Sequence, residues 1–254
     1  MKSNPTAAVI NFNSIARRYD LINAVISLGF LRSWHRRFTK NLKTSVELAA
    51  VFRALDVACG TGFSTEYLVR LLSTRTAKSA RIQALDISEL MIERARKRNL
   101  QNLDNVKVQF SLQDAFSIKC KDSSQDLVCI SFGLRNLRDP ARALSEFYRV
   151  LKNNGHLAIL EFSEPYRVVQ PFARLYMKHI MWRLASLFGG NTQDYVYLAN
   201  SILKWYDFRE LEYMVNLVGF KTVRVKRIFL GQVAVHIFKK EITTHYAKPL
   251  RFVE

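Results

Sequence analysis

The chain has 254 residues, 49% of them hydrophobic, with 39 Lys and Arg against 21 Asp and Glu and a formal net charge of +18. That length suffices for one full core with insertions, and no stretch approaches the ~18 uncharged apolar residues of a membrane span, so a single domain without one is expected. Three cysteines without a C-x-x-C pair (Cys59, Cys120, Cys129) and five histidines without metal spacing exclude a disulfide scaffold and a zinc site, fit a reducing cytoplasm and predict no metal.

Apolar residues Phe12, Ile15, Tyr19, Ile22 and Ile26 recur at helical spacing, and Gly29 ends that helix. A second helix, basic and aromatic, begins at Phe30. The start of the chain lacks the pattern of a secretory signal. Residues 54–58 predict a buried strand that breaks at Gly60-Thr61-Gly62 and passes into a helix over 64–72. Further strands are predicted at 80–85, 106–110, 127–132 and 157–162, with helices between them, one capped by Ser88 and another over 140–151. The turn Asn153-Asn154-Gly155 leads into the fifth strand. Beyond Pro165 the pattern changes to aromatic-rich helices over 171–188 and 194–205, then a helix from Asp207 to near Gly219. Runs at 222–229 and 232–238 close the chain as a hairpin, ahead of a loose tail at 243–254. Five strand–helix units and a hairpin make a mostly parallel α/β sheet with one reversed strand.

Strand, glycine turn and helix form the ligand-cradling corner of a doubly wound domain. The glycines admit backbone shapes closed to other residues, and the helix start offers unpaired N–H groups. A dinucleotide fingerprint needs a small residue where Thr65 stands, and a P-loop needs Gly-Lys-Ser/Thr, which is absent. The pair Gly60 and Gly62 after a strand carrying Asp56 resembles the first motif of Rossmann-like S-adenosylmethionine-dependent methyltransferases. That ligand carries an amino group and no phosphate, so an acidic residue is tolerable there. An ordinary tight turn has the same spelling.

The carboxyl ends of the predicted strands, in order, offer Gly60-Thr61-Gly62, Asp86, Asp114-Ala115, Ser131 with Arg135-Asn136, and Glu161. Asp86 stands 24 positions after Gly62, a spacing suited to a carboxylate on ribose hydroxyls. Asp114 suits an adenine amino group or a plain turn.

Several stretches resemble the ubiquinone/menaquinone biosynthesis C-methyltransferase family. They are Phe12-x-x-Ile-Ala-x-Arg-Tyr-Asp-Leu-x-Asn23 with Ser27-Leu-Gly29, Ile130-Ser-Phe-Gly-Leu-Arg-Asn136, Leu160-Glu-Phe-Ser-x-Pro165 and Tyr197-Leu-Ala-x-Ser-Ile202. The likeness spans about residues 12–238. It departs at Asn191, at Tyr206 in place of a proline, and at Asn153-Asn154-Gly155, which affects substrate detail more than the cofactor site. The resemblance implies a class I methyltransferase fold: a seven-stranded, mostly parallel sheet with one antiparallel strand, a helical N-terminal segment (1–53) and a helical insertion after the fifth strand (165–206). Residues 54–164 would be the cofactor core and 207–240 the closing helix and hairpin. It implies S-adenosylmethionine bound by Asp56, Gly60, Thr61, Gly62, Asp86, Asp114, Ala115 and Ser131. It also implies methyl transfer to a ring carbon of a prenylated hydroquinone.

A ring carbon becomes a good nucleophile when an adjacent hydroxyl loses its proton, so the site must steady a phenolate. Arg135 suits that charge, Asn136 can orient a water or a ring oxygen, and Tyr19 can complete a relay. The base is left open among a water held by Arg135 and Tyr19, Asp20, and His179. A membrane-borne substrate asks for docking at the inner membrane face. Positive charge supports this: residues 1–54 hold nine Lys/Arg against two acidic residues, and 165–254 hold fourteen against six. An apolar–basic helix over 172–188 suits the interface or a tail channel. Specific nucleic acid is not expected and a homodimer is left open. The rival readings are an RNA or other small-molecule methyltransferase and a non-catalytic cofactor-binding scaffold.

Overall fold

Apolar strands that bury both faces set the architecture. The computed structural model describes residues 20, 23–24, 27–74, 79–100, 105–180, 183 and 192–241, without the side chains of 192–197. Strands β1 (Val51–Val57), β2 (Ser79–Asp86), β3 (Val106–Leu112), β4 (Gln125–Ser131) and β5 (Leu151–Phe162) run parallel. A hairpin of β6 (Phe220–Ile228) and β7 (Val233–Lys240) completes the sheet, β7 pairing antiparallel with both β5 and β6. The seven strands lie in the order β3-β2-β1-β4-β5-β7-β6, so the side on which successive strands are added switches between β1 and β4. The expected mostly parallel sheet with one reversed strand is present.

The helices are α1 (Leu31–Ser45), α2 (Phe63–Ser73), α3 (Glu89–Lys97), α4 (Pro140–Val150), α5 (Gln170–Leu175), α6 (Thr192–Leu203) and α7 (Phe208–Leu217). Alternation along β1 divides the core. Phe52 and Ala54 join Trp34, Phe38, Leu68 and Ile92 from α1, α2 and α3. Leu55 and Val57 join Leu144, Phe147, Leu211 and Val215 from α4 and α7. Each helical layer thus covers one sheet face. Fully burying a Leu or Phe contributes roughly 2 kcal/mol, so these faces hold the layers together.

Local chemistry fixes the ends. Ser88 Oγ accepts from the N–H of Met91 at the start of α3, and Asp207 forms a reciprocal capping box with Glu210 at α7. Gly29, at φ +78°, returns its N–H to the Ala24 carbonyl, the ending expected for the preceding helix. Most of that helix's positions, Phe12 and Tyr19 among them, lie outside the described residues.

Three boundaries differ most from the sequence expectation. β1 begins at Val51, three residues before residue 54, because β2 supplies partners from Ser79 onward. β5 begins at Leu151 rather than 157: Gln125 pairs with Leu151 and Leu127 with His156, so the Asn-Asn-Gly turn is a bulge inside one strand. Of the helix expected over 171–188, α5 passes at Tyr176 into a wider turn over Tyr176–Ile180. Apart from Arg183, residues 181–191 lie outside the described residues, Asn191 among them.

Candidate active site

The corner after β1 is built by three successive uses of positive φ: Ala58 at +51°, Gly60 at +55° and Gly62 at +80°. A Cβ on Gly62 would stand 3.2 Å from that of Ala95, so the missing side chain also lets α2 approach α3. Asp56 is fully buried and faces α2. Its Oδ2 accepts from Ser64 Oγ at 2.8 Å and Thr65 Oγ1 at 2.7 Å, tying strand to helix. Burial pushes its carboxyl up to about 6, and Oδ1 has no partner among the described residues. The acidic residue expected to meet the ligand is therefore placed beneath the turn, because residue alternation along β1 turns it toward α2.

Asp86, at the end of β2, spans two turns: Oδ2 accepts from the N–H of Gly60 at 2.8 Å and Oδ1 from that of Ser88 at 2.9 Å. Burial raises its pKa. Asp114 accepts from the N–H of Phe116 at 2.9 Å, and Ala115 is buried beside it. These residues follow one another along the rim of the sheet, while the open space lies nearer β4.

That space is a cavity of about 310 Å³ at the ends of β1 and β4, where strand addition switches sides. Gly60, Thr61, Ser131 and Arg135 line it. Trp34 and His35 of α1 enclose it on one side, Tyr176 and Met177 on another, with Phe229 and Leu230 of the β6–β7 turn at its edge. Ser131 Oγ is buried without a protein partner among the described residues. Arg135 is 7% exposed, and its Nη1 meets Glu161 Oε1 at 2.8 Å and the Phe132 carbonyl at 2.5 Å. Its guanidinium lies 5.0 Å from the centre of the Phe162 ring. The cation expected to quiet a phenolate is thus already balanced by Glu161, which pins it at the cavity wall. Asn136 donates to the Phe132 carbonyl at 3.3 Å, away from the cavity lining, and its Oδ1 is unpartnered among the described residues.

Tyr19 lies outside the described residues. Asp20 lines the cavity but is engaged: Thr61 Oγ1 donates to it at 2.5 Å, and Arg98 forms an ion pair with it. Arg98 also donates to the Thr61 carbonyl at 2.6 Å and pairs with Glu66 at 3.2 Å, holding Asp20 onto the corner. His179 is exposed. Sequence reasoning missed two residues, His35 and Arg98. Only the spacing of α1, with Trp34, His35, Phe38 and Leu42 buried together, places His35 inward.

The lining fits S-adenosylmethionine: a glycine corner open to close approach, an unpartnered Ser131 hydroxyl and aromatic walls that shelter a sulfonium. When bound, that group supplies an electrophilic methyl. Among the described residues no cluster of three or more His, Cys, Asp or Glu could hold a metal ion, and Cys59, Cys120 and Cys129 are free.

Sheet order, glycine corner and the cavity at the switch define a Rossmann-like S-adenosylmethionine-dependent methyltransferase. A methyltransferase from Aquifex aeolicus of that dependence superposes with a TM-score of 0.56 at 22% identity, covering 80% of this chain and 89% of the other. The profile of the ubiE/COQ5 methyltransferase family matches residues 1–240, and the chain belongs to that family. It is 37% identical over 231 residues to a demethylmenaquinone methyltransferase of Lactobacillus johnsonii, covering 89% of each chain. It is also 34% identical over 233 residues to the ubiquinone/menaquinone biosynthesis C-methyltransferase UbiE of Escherichia coli, covering 89% of this chain and 87% of that one. The protein is an S-adenosylmethionine-dependent C-methyltransferase of quinone biosynthesis.

Proposed function

We propose that the substrate is a prenylated hydroquinone of the demethylmenaquinol type, methylated on its ring. The observation that carries this is the cavity itself: aromatic and aliphatic walls beside the glycine corner, with Arg135 as a buried cation at its edge. The activities for which the relatives are named agree with it. In this reading Gly60, Thr61, Gly62 and Ser131 hold the methyl donor, with Asp86 and Asp114-Ala115 along its nucleoside side and Asp56 bracing the corner from below. Arg135, fixed by Glu161, donates a hydrogen bond to a ring oxygen. The aromatic walls exclude water, which would otherwise compete for the methyl group.

The same reading supplies a route for a lipid substrate. Leu28, Phe30 and Leu230 stand exposed around one edge of the cavity, and Val168, Phe172 and Leu175 stand exposed on and just before α5. Exposed Arg167, Arg174 and Lys178 accompany them, a mixture suited to an anionic membrane surface. Among the described residues no helix is long and apolar enough to cross a membrane. The protein would then work as a peripheral enzyme at the inner membrane face.

The test is purified protein with S-adenosylmethionine and reduced demethylmenaquinone, read by mass spectrometry. The expected product is 14 mass units heavier (about one CH₂, methyl for hydrogen) with the label on the ring. Preferential labelling of RNA under the same conditions would overturn the assignment.

A further inference from the structure

α1 delivers His35 to the cavity wall in a defined state. Its Nδ1 stands 3.0 Å from the Leu31 carbonyl oxygen, which can only accept, so Nδ1 carries the proton and Nε2 presents a lone pair. Phe63, Tyr67 and Phe132 hold the ring, with centroids at 5.0, 5.3 and 5.9 Å, and the residue is 3% exposed. No described residue hydrogen-bonds Nε2. Burial lowers the imidazole pKa to about 4, so it is neutral at neutral pH and does not repel a sulfonium. The charged groups on the same cavity are already matched, Arg135 by Glu161 and Asp20 by Arg98, and the titratable neighbour from α2 is the Tyr67 phenol.

We propose that His35 Nε2 accepts the hydrogen bond, and then the proton, of the ring hydroxyl adjacent to the carbon being methylated. This rests on the hydroquinone reading above.

A weakly basic imidazole is too poor a base for a resting phenol. The requirement changes during the transfer. As the ring carbon gains the methyl group, the ring takes up the positive charge that sulfur loses, and its hydroxyl becomes a strong acid. The O–H electron pair becomes the C=O π bond, a ring π pair forms the new C–C bond, and the S–C pair stays on sulfur. The proton rests on Nε2. Loss of the hydrogen from the methylated carbon to water, with return of the His35 proton to the ring oxygen, restores the aromatic hydroquinone. One proton is released in all.

The experiment compares wild type, His35→Phe and His35→Asn, using a short-tailed demethylmenaquinol reduced with dithionite. His35→Phe keeps an aromatic ring in the cage and removes the acceptor. Calorimetry is expected to give unchanged S-adenosylmethionine affinity, while kcat falls about 100-fold, the usual loss for a proton acceptor. Nitrogen-15 spectra of the wild type without the methyl donor are expected to show the Nε2 resonance moving when the quinol is added. Should His35→Phe fail to fold, His35→Asn and the spectra decide the matter. An active wild type beside a His35→Phe enzyme within threefold of it, or an Nε2 signal indifferent to quinol, overturns the proposal. A wild type that leaves the quinol untouched sinks the substrate reading instead.

Discussion

Asp56 carries a cost that the corner tolerates. In the folded chain its carboxyl titrates near 6 against an ordinary 3.8, because burial outweighs the two hydroxyl bonds. A carboxyl raised in the folded state favours folding below pH 3.8, and that advantage is lost as pH rises to about 6. Two pH units correspond to about 3 kcal/mol. Asp56→Asn keeps an acceptor for Ser64 and Thr65 and removes the buried charge. Thermal unfolding is expected to show it more stable than wild type at pH 7.5, by up to about 3 kcal/mol, with the gap narrowing at pH 4.5. An equal gap at both values would show that Asp56 is not the group titrating. At this scale the sequence was legible where residues sit in a motif, as at Gly60, Gly62 and Arg135. It was opaque where a role depends on a distant partner: nothing in the spelling pairs Arg135 with Glu161 or Arg98 with Asp20, residues 26 and 78 positions away. His35 had only the helical spacing of Trp34, Phe38 and Leu42 to place it inward, and one histidine in a basic helix otherwise reads as a solvated side chain.

The junction of β1 with α2 and α3 is where element geometry meets ligand geometry. Gly62→Ala must hold an alanine at φ +80° and press its methyl to 3.2 Å from Ala95. The left-handed conformation costs about 1–2 kcal/mol before any contact, and the displaced helix start withdraws N–H groups from the cavity. Denaturant titration is expected to show that loss, with a weaker S-adenosylmethionine affinity by calorimetry. Wild-type values in both would mean that the corner relaxes freely. Strands were readable because burial on both faces leaves apolar runs, and α3 and α7 because Ser88 and Asp207 cap them. Boundaries were less so. The early start of β1 and of β5 reflects backbone pairing with β2 and β4, which side-chain pattern does not encode, and an Asn-Asn-Gly bulge reads like a turn.

Across the whole molecule, charge separates from the fold. The cofactor core at 55–164 is nearly balanced, sixteen Lys/Arg against thirteen acidic residues, whereas the flanking segments carry the excess. Those segments include α1, α5 and the β6–β7 hairpin, each of which lines part of the cavity. Co-sedimentation is expected to show binding to vesicles containing anionic lipid, and weakening of that binding as salt rises from 50 to 500 mM, roughly the range over which the Debye length shrinks from about 14 to 4 Å. Binding indifferent to salt and lipid charge would remove the membrane role. Composition revealed the excess charge; which of those segments border the cavity is read only from the fold.

The left-handed residues Ala58 and Phe132 close β1 and β4 side by side, and Gly133 comes directly after. A Cβ at 133 would lie 2.8 Å from the Ala58 methyl, closer than real carbon contacts allow. The two positions are therefore epistatic: a methyl is accepted at 58 only while 133 bears none. A lineage altering this crossing must change both together or remodel the strand ends.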